Sequence, residues 1–409
     1  MVAGMARAQF FRSLRPNQPQ LIKKMLPNNI QNLTRAATLA VALSLGIAGT
    51  THAQEYVPTL PDSPIRLSSN ENHFGFSPKA IEAMKEALDN GSFYNRNNVN
   101  DLEALLAEME GVPEDYIITT PGSGPILIMT ALAYAEKGKN VVTTEMGYTQ
   151  LVRRFAAKGG DVKFAPLGED MGYDLDALRA EIDGDTAIVY ICNPNNPTGV
   201  MIDPNELRQF IMTVPQDILV FIDEAYLELS SGTLKSNTMI PLTKIRKNLI
   251  VCRTFSKGYG MAGHRIGFGA AHPDVLSKLQ MYSYGGLSYL SAIGAIEALK
   301  DSEYFQSNID NYKTIRAYTA AKLDAMGIEY ADPQGAFIYF KAGVPNALVR
   351  EAMLAAGVAV TTSRESGVEP GTFDLWTRVS IGKKEHMDQF LEVLAKLIGK
   401  EFEATDLSI

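Results

Sequence analysis

The stretch Arg253-Thr254-Phe255-Ser256-Lys257-Gly258-Tyr259-Gly260-Met261-Ala262-Gly263-His264-Arg265 decides how this chain is read. It follows the apolar run Leu249-Ile250-Val251, closed by Cys252, which reads as a buried strand. The lysine has hydroxyls just before it, glycines just after it and Arg265 eight residues on. A lysine amine can form a Schiff base with an aldehyde cofactor. The hydroxyls of Thr254 and Ser256 and the fork of Arg265 can fix a phosphate, the guanidinium through paired hydrogen bonds. Taken by itself, a lysine at a strand end is a solvated surface residue.

Lys257 does not stand by itself. Asn193-Pro194-Asn195-Asn196-Pro197-Thr198-Gly199 follows the strand-like run Ala187-Ile188-Val189-Tyr190-Ile191, closed by Cys192. Asp223-Glu224-Ala225-Tyr226 ends another, Leu219-Val220-Phe221-Ile222. Val141-Val142-Thr143-Thr144 and Val162-Lys163-Phe164 are further strand candidates. Such runs alternate with amphipathic stretches to about residue 300, the pattern of a mostly parallel sheet covered on both faces. Ligands collect at the carboxyl ends of parallel strands, so these loops converge on one crevice. An aspartate there would keep a pyridine nitrogen protonated by opposite-charge pairing.

Outside this region, Ala80, Ile81, Met84 and Leu88 repeat at helix spacing from Pro78, as do Leu102, Leu105, Leu106 and Met109. Residues 302–326 read as a long helix leading into a second unit. That unit holds Phe337-Ile338-Tyr339-Phe340, Val358-Ala359-Val360, Thr377-Arg378-Val379-Ser380-Ile381 and a final helix over 384–399, a smaller α+β arrangement. No internal repeat is visible.

The formal charge of -8, with no basic stripe, argues against a nucleic-acid partner. At the N-terminus, Arg12, Arg15, Lys23, Lys24 and Arg35 precede an apolar run over 36–49, and Thr51-His52-Ala53 gives a small-x-Ala cut site before Gln54. This is the pattern of a secretory signal, too short to span a bilayer, where about 20 apolar residues are needed. The expectation is an exported protein, periplasmic or secreted, with no stable membrane span after cleavage. The cysteines, Cys192 and Cys252, close strands that flank a third, which puts them roughly 9–10 Å apart. A disulfide needs Cα atoms within about 7 Å, so two buried free thiols are expected.

The motifs Asn-Pro-x-Asn-Pro-Thr-Gly, Asp-Glu-Ala-Tyr and Ser-Lys…Ala-Gly-x-Arg, in this order, resemble the fold-type-I pyridoxal-phosphate aminotransferases of class I and II, and within them the histidinol-phosphate aminotransferase branch. The resemblance runs from about Leu67 to the C-terminal helix. It implies an α/β, aspartate-aminotransferase-like fold, with a mostly parallel seven-stranded sheet in a large domain and a small α+β C-terminal domain. The expected bounds are a signal over 1–53, an arm over 54–77, the cofactor-binding domain over 78–303 and the small domain over 304–409.

The same resemblance implies transamination of an amino acid to its 2-oxo acid with pyridoxal 5′-phosphate. Lys257 would hold the cofactor as a Schiff base and, once released, move the proton between the substrate Cα and the cofactor C4′. Asp223 would pair with the ring nitrogen, and Asn196 and Tyr226 with the phenolic oxygen. Tyr148 would stack on the ring. Ser123 and Gly124, opening a helix with Pro125 in its first turn, would turn their amides to the phosphate, completed by Thr254, Ser256 and Arg265. Tyr94 resembles a tyrosine that reaches the phosphate of the partner subunit, which implies a homodimer with shared sites. Arg378 would clamp the substrate α-carboxylate, with Glu71, Asn72 and Arg364 as further substrate contacts.

The chain departs from the branch in substrate-bearing positions. An arginine usually follows the Gly-Val-x-Val strand directly, whereas Gly357-Val358-Ala359-Val360 here runs into Thr361-Thr362-Ser363 before Arg364. The loop after it, Ser366 to Gly371, is long. In Leu67-Ser68-Ser69-Asn70-Glu71-Asn72-His73-Phe74-Gly75, His73 replaces the expected proline. A histidine near a cofactor can act as general acid or base at neutral pH. Pyridoxal-phosphate arginine oxidases of this fold carry such a histidine with an acidic residue two positions before it, a spacing matched by Glu71 and His73. The alternative function is thus a dioxygen-dependent oxidase or hydroxylase of a cationic amino acid. Equally, His73 is a loop residue that caps or packs.

Overall fold

A computed structural model describes residues 64–283, 285–362 and 372–407. The expected signal, residues 54–63 of the expected arm, and Arg364 with its loop lie outside the described residues.

The first strand, β1 (Ile65–Arg66), belongs to the N-terminal segment. The strands of the large sheet follow: β2 (Ile117–Thr120), β3 (Asn140–Thr144), β4 (Asp161–Ala165), β5 (Thr186–Cys192), β6 (Leu219–Asp223), β7 (Leu249–Thr254) and β8 (Gly267–Ala271). They lie in the order β2-β8-β7-β6-β5-β3-β4, so the sheet has the seven strands expected. Neighbours from β7 across to β4 pair parallel, and β8 runs antiparallel to both β7 and β2.

The central strands are continuous apolar runs because both faces are covered. On one face Val189, Ile191, Val220, Ile222 and Val251 pack with Leu207 and Phe210 of the helix Pro204–Thr213. On the other, Ile188, Tyr190, Leu219, Phe221 and Ile250 pack with Ile126 and Leu127 of the helix Gly124–Tyr134. Successive residues of one strand alternate between the two layers. Cys192 and Cys252 are buried free thiols with β6 between their strands, as expected.

β2 and β8 are strands beyond those expected from the sequence. β8 reads Gly-Phe-Gly-Ala-Ala, poor in the branched residues that mark strands. Its glycine has a packing reason: a Cβ on Gly267 would lie 2.3 Å from the amide nitrogen of Ser123. The turn after β2 therefore presses directly on β8.

Beyond the helix Ser302–Ala325 come β9 (Glu329–Tyr330), β10 (Phe337–Lys341), β11 (Val358–Ala359), β12 (Thr361–Thr362) and β13 (Trp376–Ser380). A four-stranded antiparallel sheet has the order β12-β13-β10-β9. The final helix, Lys384–Ile398, stops at Gly399 in the left-handed conformation (φ 69°), where glycine carries no Cβ penalty. The strand expected over residues 358–360 is β11, which pairs in parallel with β1, and a separate short strand, β12, follows it and joins β13. The N-terminal segment is thereby tied to the C-terminal part of the chain, and the Ser380 amide also donates to Leu67 O at 2.8 Å. Among the described residues no helix is long and apolar enough to cross a membrane.

Candidate active site

Because β2, β3, β5, β6 and β7 point the same way, their carboxyl ends share one edge of the sheet. The loops leaving that edge surround a cleft of about 670 Å³. Ser123 and Gly124 come from the turn after β2, Tyr148 from that after β3, Asn196 after β5, Asp223 and Tyr226 from the end of β6, and Thr254, Ser256 and Lys257 from the end of β7. Arg265 and Arg378 close the list of expected residues on its wall, with Glu71 from the N-terminal segment.

Lys257 is largely enclosed. Its amine donates to Asn70 O at 2.9 Å and lies 5.4 Å from the centre of the Tyr226 ring. Among the described residues no carboxylate comes within ion-pair distance of it. Burial, then the nearby charge of Arg378, lowers its pKa from 10.5 to about 8. Asp223 is 2% exposed, and burial raises its carboxyl to about 6. A cation beside that carboxylate would bring it back down.

Tyr226 is held from two sides. Its hydroxyl accepts from Asn70 Nδ2 at 3.0 Å and from Asn196 Nδ2 at 3.3 Å. With both lone-pair sites engaged, its own proton is available to the cleft. Asn196 Oδ1 in turn accepts from Arg378 Nη1 at 2.6 Å. Arg378, on β13, also donates to Ser68 O at 2.5 Å and to Thr361 Oγ1 at 3.2 Å, and its guanidinium lies 5.3 Å from the centre of the Phe337 ring. This arginine therefore links the small sheet, the N-terminal segment and the loop after β5.

Around the other end of the cleft, the Thr254 hydroxyl donates to Ser256 Oγ at 2.9 Å, and the Ser256 amide donates back to Thr254 Oγ1 at 3.2 Å. Arg265 takes a left-handed backbone (φ 53°), and its Nη1 donates to Ala262 O at 3.0 Å. Gly122 lies against it: with φ +85°, a Cβ there would lie 2.3 Å from Arg265 Nη2. The helix Gly124–Tyr134 begins at this spot with Ser123 as its N-cap. The backbone amides of a helix N-terminus, hydroxyls and a guanidinium together make an anion cup. The donor set fits pyridoxal phosphate: the cup for the phosphate, the buried Asp223 carboxylate for a ring nitrogen, the Tyr226 and Asn196 side chains for a phenolic oxygen, and the Lys257 amine for an aldehyde.

Not every expected residue joins the cleft. Asn72, expected to touch substrate, spends its amide on the backbone: Nδ2 donates to Lys257 O at 3.0 Å and Gly258 O at 3.2 Å, and Oδ1 accepts from the Phe74 amide at 2.8 Å. It positions the lysine loop instead. His73, expected as a catalytic candidate, is outside the cleft lining. Its Nε2 lies 3.2 Å from Arg66 O and its ring packs edge-on against His386 at 5.0 Å, as a packing residue does. Glu71 does face the cleft but already pairs with Arg66 at 2.5 Å. Tyr148 lines the cleft and its hydroxyl donates to Gln150 Oε1 at 2.9 Å. Tyr94 is fully exposed and lines a different groove of its own chain.

Asn70 is a site residue that the sequence does not single out. Its left-handed backbone (φ 52°) turns its carbonyl to Lys257, while its side chain donates to Tyr226 and accepts from Ser380 Oγ at 2.7 Å. Asparagine is one of the few residues that tolerate this conformation, but nothing local announces it.

The sequence model described as "Aminotransferase class I and II" matches residues 62–394. A histidinol-phosphate aminotransferase of Halalkalibacterium halodurans is 32% identical over 348 residues, covering 85% of this chain and 92% of that relative. One from Brevibacillus brevis is 35% identical over 336 residues, covering 82% and 90%. Among solved structures, the histidinol-phosphate aminotransferase of Sinorhizobium meliloti in complex with pyridoxal 5′-phosphate superposes with a TM-score of 0.75 at 26% identity, covering 82% of this chain and 92% of that one.

Proposed function

The chain belongs to the class I and II aminotransferase family, and from that premise we propose that it converts an amino acid to its 2-oxo acid in this cleft, with Lys257 as the residue that binds the cofactor and moves the proton. It is a pyridoxal-phosphate-dependent aminotransferase, of aspartate-aminotransferase-like fold. The cofactor supplies an aldehyde that condenses with amines and a ring that withdraws electrons from the substrate Cα.

This chain's residues do the rest. Arg378 receives the α-carboxylate of the substrate. Asp223 keeps the ring nitrogen protonated, since a carboxylate in so dry a place favours a cation beside it. Tyr226 gives its proton to the phenolic oxygen while Asn70 and Asn196 hold it. Ser123, Gly124, Thr254, Ser256 and Arg265 hold the phosphate. Lys257 takes the proton from Cα and delivers it to C4′. The observation that carries this reading is the Lys257 amine itself. It is buried, unpaired with any described carboxylate, and lowered to about 8, so a sizeable fraction is neutral near physiological pH.

Tyr94, fully exposed on its own subunit, supports a homodimer in which it reaches the partner's phosphate cup. The basic and apolar leader supports export. The substrate is an amino acid. Histidinol phosphate belongs in the test because the relatives bear its name.

The test is to reconstitute the purified protein with pyridoxal phosphate and offer amino acids and histidinol phosphate, with and without a 2-oxo acid, while following dissolved oxygen. Conversion that requires the 2-oxo acid and consumes no oxygen is expected. Oxygen uptake with arginine and no acceptor would overturn the reading in favour of the oxidase alternative.

A further inference from the structure

The carboxylate at the end of β6 sits in a row of unusual neighbours. Across three adjacent parallel strands, Cys192 is in register with Asp223, and Asp223 with Cys252. Parallel partners in register point to the same face, so the carboxylate is flanked by a thiol on each side at strand spacing, roughly 4.8 Å. The two thiols are engaged differently. Cys192 Sγ lies 3.4 Å from Pro194 O, whereas Cys252 Sγ lies 3.5 Å from Asp223 Oδ1. The Ala225 amide donates to the same Oδ1 at 3.1 Å.

From this arrangement we propose that Cys252 is a positioning residue for the reaction: its S–H, with the Ala225 amide, anchors Oδ1 of Asp223 and so dedicates Oδ2 to the ring nitrogen of the cofactor. The inference rests on reading Asp223 as the partner of that nitrogen.

The chemistry of the site supports it. A thiol donates only while protonated, and burial together with the neighbouring Asp223 charge holds the Cys252 thiol well above its usual pKa. Cys252 is completely buried, so no water competes for Oδ1 from that side. Asp223 is the last residue of its strand; the ladder on both sides fixes its backbone but not the rotation of its carboxylate. Without a second donor on Oδ1, the carboxylate could rotate about its side-chain bonds, and either oxygen would be presented to the cleft. The sulfur is also the right length. Its longer bond to Cβ reaches across the strand gap, while its weak polarity keeps it compatible with Tyr190, Phe221 and Ile250 in the layer below.

The test compares Cys252→Val, which removes the donor and adds about one methyl group, with Cys252→Ser, which keeps a donor. Pyridoxal phosphate affinity is measured by absorbance titration of apoprotein, and the pH midpoint of the visible band is measured on the loaded enzyme. Cys252→Val is expected to weaken cofactor binding about five- to tenfold and to shift the midpoint, as the loss of one weak hydrogen bond of about 1 kcal/mol does. Cys252→Ser should recover most of both. Asp223→Asn is the control on the underlying reading. If Asp223→Asn weakens binding while Cys252→Val leaves affinity and midpoint unchanged, the positioning role is overturned and the reading of Asp223 survives. If Asp223→Asn itself changes nothing, the reading of Asp223 fails. If valine and serine variants lose affinity equally, the effect is packing and the proposal is wrong.

Discussion

Arg378 Nη1 donates to Asn196 Oδ1 at 2.6 Å, and that one bond joins the small antiparallel sheet to the loop that follows β5. Asn196 passes the connection to Tyr226, so the residue that would read the substrate carboxylate and the one that would read the phenolic oxygen share an intermediary.

Arg378→Lys should therefore not behave as a conservative change. Lysine cannot serve Asn196, Ser68 O and a carboxylate together, since it lacks the planar fork. We expect kcat/KM for the amino acid to fall about 10- to 100-fold, mostly through KM, with cofactor affinity changing little. Steady-state kinetics and a cofactor titration on the same preparation check it.

Lys257→Ala should abolish turnover, with a loss of about 10³-fold or more, and should remove the visible band of the lysine-bound cofactor. Pyridoxal phosphate should still bind through the anion cup. An unchanged band in the variant would move the cofactor to another amine.

The buried amine also predicts a pH dependence of stability in the apoprotein. Below about 8 it is charged whether the chain is folded or not, and above 10.5 it is neutral in both. Between these values the unfolded chain binds the extra proton, so this group makes the unfolding free energy rise with pH. Lys257→Met should lack that rise. Urea denaturation of both proteins at about pH 8 and about pH 10 gives the difference directly.

Gly122→Ala places a Cβ 2.3 Å from Arg265 Nη2 and forces a left-handed alanine. Arg265 must move or the turn must unwind. The expected result is a loss of about 1–2 kcal/mol in stability and weaker phosphate capture, seen as poorer competition by inorganic phosphate in cofactor titrations.

Asn70 carries both a backbone and a side-chain role, and paired variants separate them. Asn70→Ala should lose about 2–4 kcal/mol, combining left-handed strain with the lost bonds to Ser380 and Tyr226. Asn70→Gly removes the strain and should recover about 1 kcal/mol of it. Thermal unfolding of the two variants gives the comparison.

Much of this arrangement was legible in sequence, for physical reasons. Strands buried on both faces must be apolar throughout, so β3, β5, β6 and β7 announced themselves. The loops at their carboxyl ends then had to meet. β8 escaped because the turn at Ser123 presses on it and requires glycine, which erases the strand signal. The separate strand β12, and the different sheets that β11 and β12 join, escaped because alternation along a strand says nothing of its partners. Asn70 and Asn72 stood in the quoted motif, yet their work depends on partners 310 and 185 residues away. His73 shows the converse: its type suggested chemistry, and its packing against His386 places it elsewhere.

The pairing of β1 with β11 has a bearing on how the protein is made. A ribosome releases the amino end first, yet the segment that roofs Lys257 docks on Ser380, 310 residues later. At about 5–20 residues per second, that segment waits roughly 15–60 s for its partner. Throughout translation the lysine loop lacks the carbonyl and amide that fix it, so a nascent chain has no finished grip on pyridoxal phosphate. The contact between Asn70 and Lys257 is thus completed only after synthesis ends.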